Sequence, residues 1–143
     1  MKLAKYSPAR SIIELRKYNS PLACLSSGTL ALSQIRKEEG EDKVLTVLEM
    51  WIVDINDFFN IQNKMKPGQI KETALMILQD FYYMNIADLN LVFTNAKKGK
   101  HGALYASLDG SKIYQWFDQH DKNRANAAYR ERLKEHDIIK SRE

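Results

Sequence analysis

The chain has 143 residues, 44% of them hydrophobic and 28% charged, which is enough to close one hydrophobic core and too little for two ordinary domains with a linker. No apolar run approaches the ~20 residues needed to cross a bilayer, no long apolar signal core follows Met1, and the lone cysteine, Cys24, has no partner within the chain, so the sequence predicts a soluble, cytoplasmic protein with no membrane association. Twenty-two basic residues against 18 acidic give a net charge of +4, a mild excess that permits nucleic-acid association without demonstrating it.

In chain order, Ser7-Pro8 has the form of an N-cap followed by proline at the first helical position, predicting a short helix through Ile12, Leu15 and Tyr18 that stops before Asn19-Ser20-Pro21. Ser26-Ser27-Gly28-Thr29 breaks the chain, and Leu30 to Glu39 reads as a helix ended by Gly40. Val44, Leu48, Trp51, Ile52, Ile55 and Phe59 recur at three and four residues, so 42–60 is a helix with a broad apolar stripe. Pro67 suits a first helical turn, and Ile70, Ala74, Ile77, Leu78 and Phe81 repeat the spacing over 69–84. Asn85-Ile-Ala-Asp88 resembles a capping box, opening a helix through Leu89, Phe93 and Ala96 that ends at Gly99.

Residues 104–117 allow two readings. Asp109-Gly110 could turn a β-hairpin, or Asp109 could cap a helix carrying Ile113, Trp116, Phe117 and His120 that continues into the 130s, and the helix is preferred because an Ala/Arg/Glu/Lys-rich run follows. The expectation is an all-α fold: a compact bundle of five to six helices with a long C-terminal helix, in a single domain 1–143 with a core bundle at 42–138 and a loosely docked segment at 1–40.

For chemistry, Cys24, His101, His120 and His136 are scattered without the close spacing of a metal site, and no glycine-rich phosphate loop or other cofactor motif is present. Cys24 between Ala23 and Leu25 reads as a small buried residue, and Asp54 with Asp57 as the solvated side of a helix; an enzyme would require a pocket gathering Asp54, Asp57, His101 or His120. The sequence therefore predicts no catalytic residue, no metal and no cofactor. The strongest feature is the stretch Ala96-Lys97-Lys98-Gly99-Lys100-His101-Gly102, whose lysines could contact phosphates while the glycines let a backbone approach. Lysines past a helix end also complement its dipole, and Gly99 is equally an ordinary cap. The C-terminal arginines, Arg124 and Arg130 among them, are interleaved with carboxylates and join a basic surface only if the last helix turns them towards that loop. Trp51 and Trp116 lie on apolar faces, while Tyr83 and Tyr105 are better candidates for exposed platforms.

Trp51 with Asp54 and Phe58, Met65-Lys-Pro-Gly-Gln69-Ile70-Lys-Glu-Thr73-Ala74, Tyr82-Tyr83-Met-Asn-Ile86-Ala87-Asp88 with Phe93, Ala96, Gly99 and Gly102, then Leu108-Asp109-Gly110 and Trp116, together resemble a family of small uncharacterised helical proteins of Bacteroidetes, their phages and mobile elements. The resemblance covers about Leu45 to Tyr129, and an aromatic residue commonly stands there at the position of His101. It carries no established activity and implies a preference for replication- or DNA-associated roles; in outline the chain is also similar to phage helicase-loader and replisome-organiser proteins. The expected function is a non-enzymatic nucleic-acid-associated or replication-accessory module. It would bind DNA without sequence preference, or a replication protein, through Lys97, Lys98, Lys100, His101, Arg124 and Arg130. The alternative is a protein-interaction adapter, with a homodimer as one form, using Tyr82, Tyr83, Tyr105 and Trp116.

Overall fold

A computed structural model describes residues 2–103 and 107–142 of the chain. Among these residues a 3-10 turn (Lys2–Tyr6) precedes seven helices: α1 (Pro8–Glu14), α2 (Pro21–Leu25), α3 (Leu32–Glu39), α4 (Glu41–Phe58), α5 (Pro67–Asp80), α6 (Ile86–Lys97) and α7 (Gly110–Ser141). The fold is all-α and compact with a long C-terminal helix; the element beyond the expected six is α2.

The helix starts are set by local chemistry. The Ser7 and Ser20 hydroxyls accept from the Arg10 and Ala23 amides at 3.3 and 3.2 Å, each with proline next in line, so α2 begins with the same Ser-Pro device as α1. At α6 the capping box is reciprocal, with the Asp88 amide donating to Asn85 Oδ1 and the Asn85 amide to Asp88 Oδ2, both at 2.9 Å. Asp109 Oδ1 accepts from the Lys112 amide at 3.0 Å, which makes Asp109-Gly110 a helix start and not a hairpin turn.

α4 buries Val44, Val47, Leu48, Trp51, Ile52 and Ile55, and packs against α3, α5 and α6. α6 is the central helix: every residue from Ile86 to Phe93 is buried, because α1, α2, α4 and α7 all pack on it. The Trp51 and Phe93 rings stack with centroids 5.7 Å apart, and Phe93 meets Phe117 of α7 edge-on at 5.6 Å. The segment 1–40, expected to dock loosely, is packed instead: Leu3, Tyr6, Leu32 and Ile35 belong to the main core, and the Trp51 indole donates to the Tyr6 carbonyl at 2.9 Å. Short extended pairing between the residues before α3 and those before α6, with Leu32 N donating to Met84 O at 2.8 Å and Ile86 N to Leu30 O at 3.2 Å, ties this segment to the central helix.

α7 buries only Ile113, Trp116, Phe117 and His120. At 1.5 Å per residue its 32 residues span about 48 Å, so its second half runs past the core into solvent.

Candidate nucleic-acid interface

Two kinds of cation emerge from the basic residues singled out above, those already paired within the protein and those that are free. Lys97 and Arg124 belong to the first kind. Lys97 Nζ donates to Asp54 Oδ2 at 2.8 Å and lies 5.1 Å from the centroid of the Phe58 ring, with its side chain only 18% exposed. Arg124 Nε donates to Asp88 Oδ2 at 3.2 Å while its guanidinium covers the Tyr83 ring. Both expected phosphate contacts are corrected on this ground: their charges are held by carboxylates, and freeing either would strip its partner.

The Arg124 partner is the most buried charge of the described residues. Asp88 is inaccessible to solvent, and its oxygens accept from the Asn85 amide, from Arg124 and from His120 Nε2 at 2.8 Å. This node locks the start of α6 to the third and fourth turns of α7, which is a structural task. Beside it, Tyr83 donates to Asp121 Oδ1 at 2.6 Å, and burial followed by that bond raises the phenol well above its usual range. Cys24, fully buried, is pushed up to about 12 by burial and then by the Asp88 charge, so its thiol stays protonated and unreactive.

Of the groups an enzyme would need, Asp54 and Asp57 line one groove with Glu49, and neither His101 nor His120 joins them there. Asp54 is held by Lys97, His120 by Asp88, and Asp57 is exposed. No group of three His, Cys, Asp or Glu among the described residues is placed to hold a metal. His101 is half-buried and stacks on Trp116, centroids 5.8 Å apart and planes 18° apart; burial lowers its pKa, and its Nε2 is buried without a hydrogen-bond partner among the described residues.

The alternative aromatic surface breaks up in the same way. Trp116 is 6% exposed and belongs to the core, Tyr83 is half-buried and tied to Asp121 and Arg124, and Tyr105 lies outside the described residues. Tyr82 alone of the four is described as exposed.

Lys98, Lys100 and Arg130 remain, all exposed and without a carboxylate partner among the described residues. The end of α6 explains how the first two meet. Gly99 adopts φ +76°, Gly99 N donates to Ala96 O at 3.0 Å and Lys100 N to Asn95 O at 2.9 Å, the paired bonds of a Schellman cap. The cap folds the chain back so that Lys98 and Lys100 line one groove of about 240 Å³ between α1 and α6. Arg16, just past α1, lines it as a third cation, with Tyr18, Asn19, Asn90, Thr94 and Asn95 supplying polar groups and Ile12 and Leu91 an apolar wall. Sequence reading missed Arg16 because nothing in the local pattern shows that α1 lies along α6.

The electrostatic balance of the groove favours anions. Two helix C-termini point there, each worth roughly −0.5 of a charge at most, against three side-chain cations and no carboxylate in the lining. The helix ends cost an anion roughly 0.3–1 kcal/mol each, whereas one cation at about 4 Å returns about 1 kcal/mol even in bulk water. A second groove, lined by Arg130, Lys134 and Glu131 of α7 with Ser20, Pro21 and Leu22, begins where the first ends: Asn19 lines the first and Ser20 the second. The turn before α2 thus joins the basic end of α6 to the basic flank of α7.

No protein-family model, curated protein or solved structure matches the chain. No helix of the described residues is long and apolar enough to cross a membrane.

Proposed function

We propose that the chain is a non-enzymatic module that binds nucleic-acid backbone without sequence preference, through Arg16, Lys98 and Lys100 continued across the α1–α2 turn by Arg130 and Lys134. The observation that carries this reading is the gathering of three unpaired cations around one groove with no carboxylate in its lining. Phosphate contacts of this kind position a protein on a strand and carry no sequence information. The resemblance to proteins of phages and mobile elements favours an accessory role in DNA replication, with the module acting beside an enzyme that supplies the chemistry.

Fluorescence anisotropy of labelled single- and double-stranded DNA over a salt series tests the reading. Binding is expected to weaken steeply with salt, and the combined Arg16→Ala, Lys98→Ala and Lys100→Ala variant to lose up to about three contacts, lowering the log–log salt slope by about 0.7–0.9 for each. Lys97→Ala should leave binding unchanged, because Lys97 is occupied by Asp54. No binding at low salt, or equal binding by the triple variant, overturns the proposal.

A further inference from the structure

Asn90 sits in the middle of α6 and is only 5% exposed. Its side-chain amide makes no hydrogen bond with any other described residue. The buried side-chain atoms left without a partner belong to Tyr6, Ser11 and His101, so the Asn90 amide is not sealed in the core but opens into the groove, where water or a ligand meets it. Asn90 lines the same α1–α6 groove as Arg16, Lys98 and Lys100. Positions 90, 94 and 98 follow one another at four-residue steps along α6, so the Asn90 amide, the Thr94 hydroxyl and the Lys98 ammonium form a ladder from the buried end of the groove to its rim.

Resting on the nucleic-acid reading above, we propose that this groove receives a phosphomonoester at the end of a single strand. Asn90 and Asn95 donate to the phosphate oxygens from inside, Arg16, Lys98 and Lys100 neutralise it at the rim, and Ile12 with Leu91 covers one face of the attached sugar. Size and charge both select a strand end. The volume of about 240 Å³ is below the roughly 300–1,000 Å³ of pockets that enclose drug-sized ligands, so it holds a phosphate and part of a sugar and cannot enclose a duplex. A terminal monoester carries close to two negative charges at pH 7, against one for an internal diester, and presents three oxygens to the donors that a continuing strand would partly block. Guanidinium and amide donors acting together are suited to such an acceptor-only group.

The test compares four oligothymidylates by anisotropy or calorimetry: 5′-phosphorylated, 3′-phosphorylated, phosphorylated at both ends, and bearing hydroxyls at both. Inorganic phosphate and thymidine monophosphate serve as small probes. A terminal phosphate is expected to raise affinity about tenfold or more, and Asn90→Leu, which removes the amide at similar volume, should collapse that ratio to about one. Arg16→Ala, at an exposed position with no intramolecular partner, should reduce the ratio even if Asn90→Leu perturbs folding. Equal affinity for phosphorylated and hydroxyl-ended strands overturns the inference while leaving backbone binding intact. Asn90-dependent binding of inorganic phosphate or the mononucleotide with no oligonucleotide bound overturns both the strand-end assignment and the nucleic-acid reading, and identifies a small phosphomonoester as the ligand.

Discussion

Replacing Asp88 with alanine tests whether the α6–α7 node holds the fold together. The change removes the acceptor for the Asn85 amide, for His120 and for Arg124, three hydrogen bonds around a carboxylate that is inaccessible to solvent. Breaking a buried pair from one side costs about 3–5 kcal/mol, because the remaining charge is left without compensation. The individual charge-assisted bonds, at about 1.5–3 kcal/mol each, cannot simply be added to that, since they share one carboxylate. Against a total stability of about 5–15 kcal/mol this is about a fifth or more of the whole. In urea, with a slope of about 2 kcal/mol/M, the unfolding midpoint should fall by about 1.5–2.5 M at unchanged slope. Asp88→Asn retains an oxygen for the Asn85 amide and should lose less, and adding Arg124→Met to Asp88→Ala should recover part of the loss by removing the stranded cation. A loss below about 1 kcal/mol for Asp88→Ala would refute the reasoning and mean that water or a rearranged Asp121 takes over.

Two further outcomes follow from single contacts. A Cβ at Gly110 would collide with Thr73 Oγ1, a buried hydroxyl that donates to the Gln69 carbonyl at 2.8 Å; Gly110→Ala should therefore cost about 1–3 kcal/mol by thermal melting, and Thr73→Ala in the same chain should relieve most of it. Burial holds the His101 pKa below its ordinary 6.5, so the unfolded chain binds that proton more readily. This contribution to stability is complete above about pH 6.5 and is lost as pH falls through the folded-state pKa. His101→Phe should lose less stability than the parent between about pH 7.5 and 5.5, read as the difference in melting temperature at each pH, and identical slopes would show that His101 titrates freely.

The helices were legible because their signals are local. A three- and four-residue apolar recurrence marked α4 and α5, Asn85 with Asp88 marked the start of α6, and Asp109 marked the start of α7, since capping and amphipathic spacing depend on residues within one or two turns. The same Ser-Pro signal that announced α1 was also present at Ser20-Pro21, but α2 has only five residues and is held by packing on α6 and α7 more than by its own propensity.

The basic groove was legible only in outline. Lys98 and Lys100 could be singled out from the sequence because they cluster in a loop after a helix, and Gly99 could be read as the cap that shapes it. Which lysines are free is a different kind of fact. Lys97 and Lys98 are neighbours of identical chemistry, yet a rotation of about 100° along the helix carries one to Asp54 and leaves the other facing Arg16, 82 residues earlier in the chain. Arg124 was lost to Asp88 for the same reason, and the open amide of Asn90 has no signature in composition at all. Amino-acid sequence by itself thus determined the all-helical architecture and most of its boundaries, through interactions confined to a few residues. Tertiary structure alone decided which charges are neutralised inside the protein and which are left exposed, because that depends on pairings between helices distant in the chain.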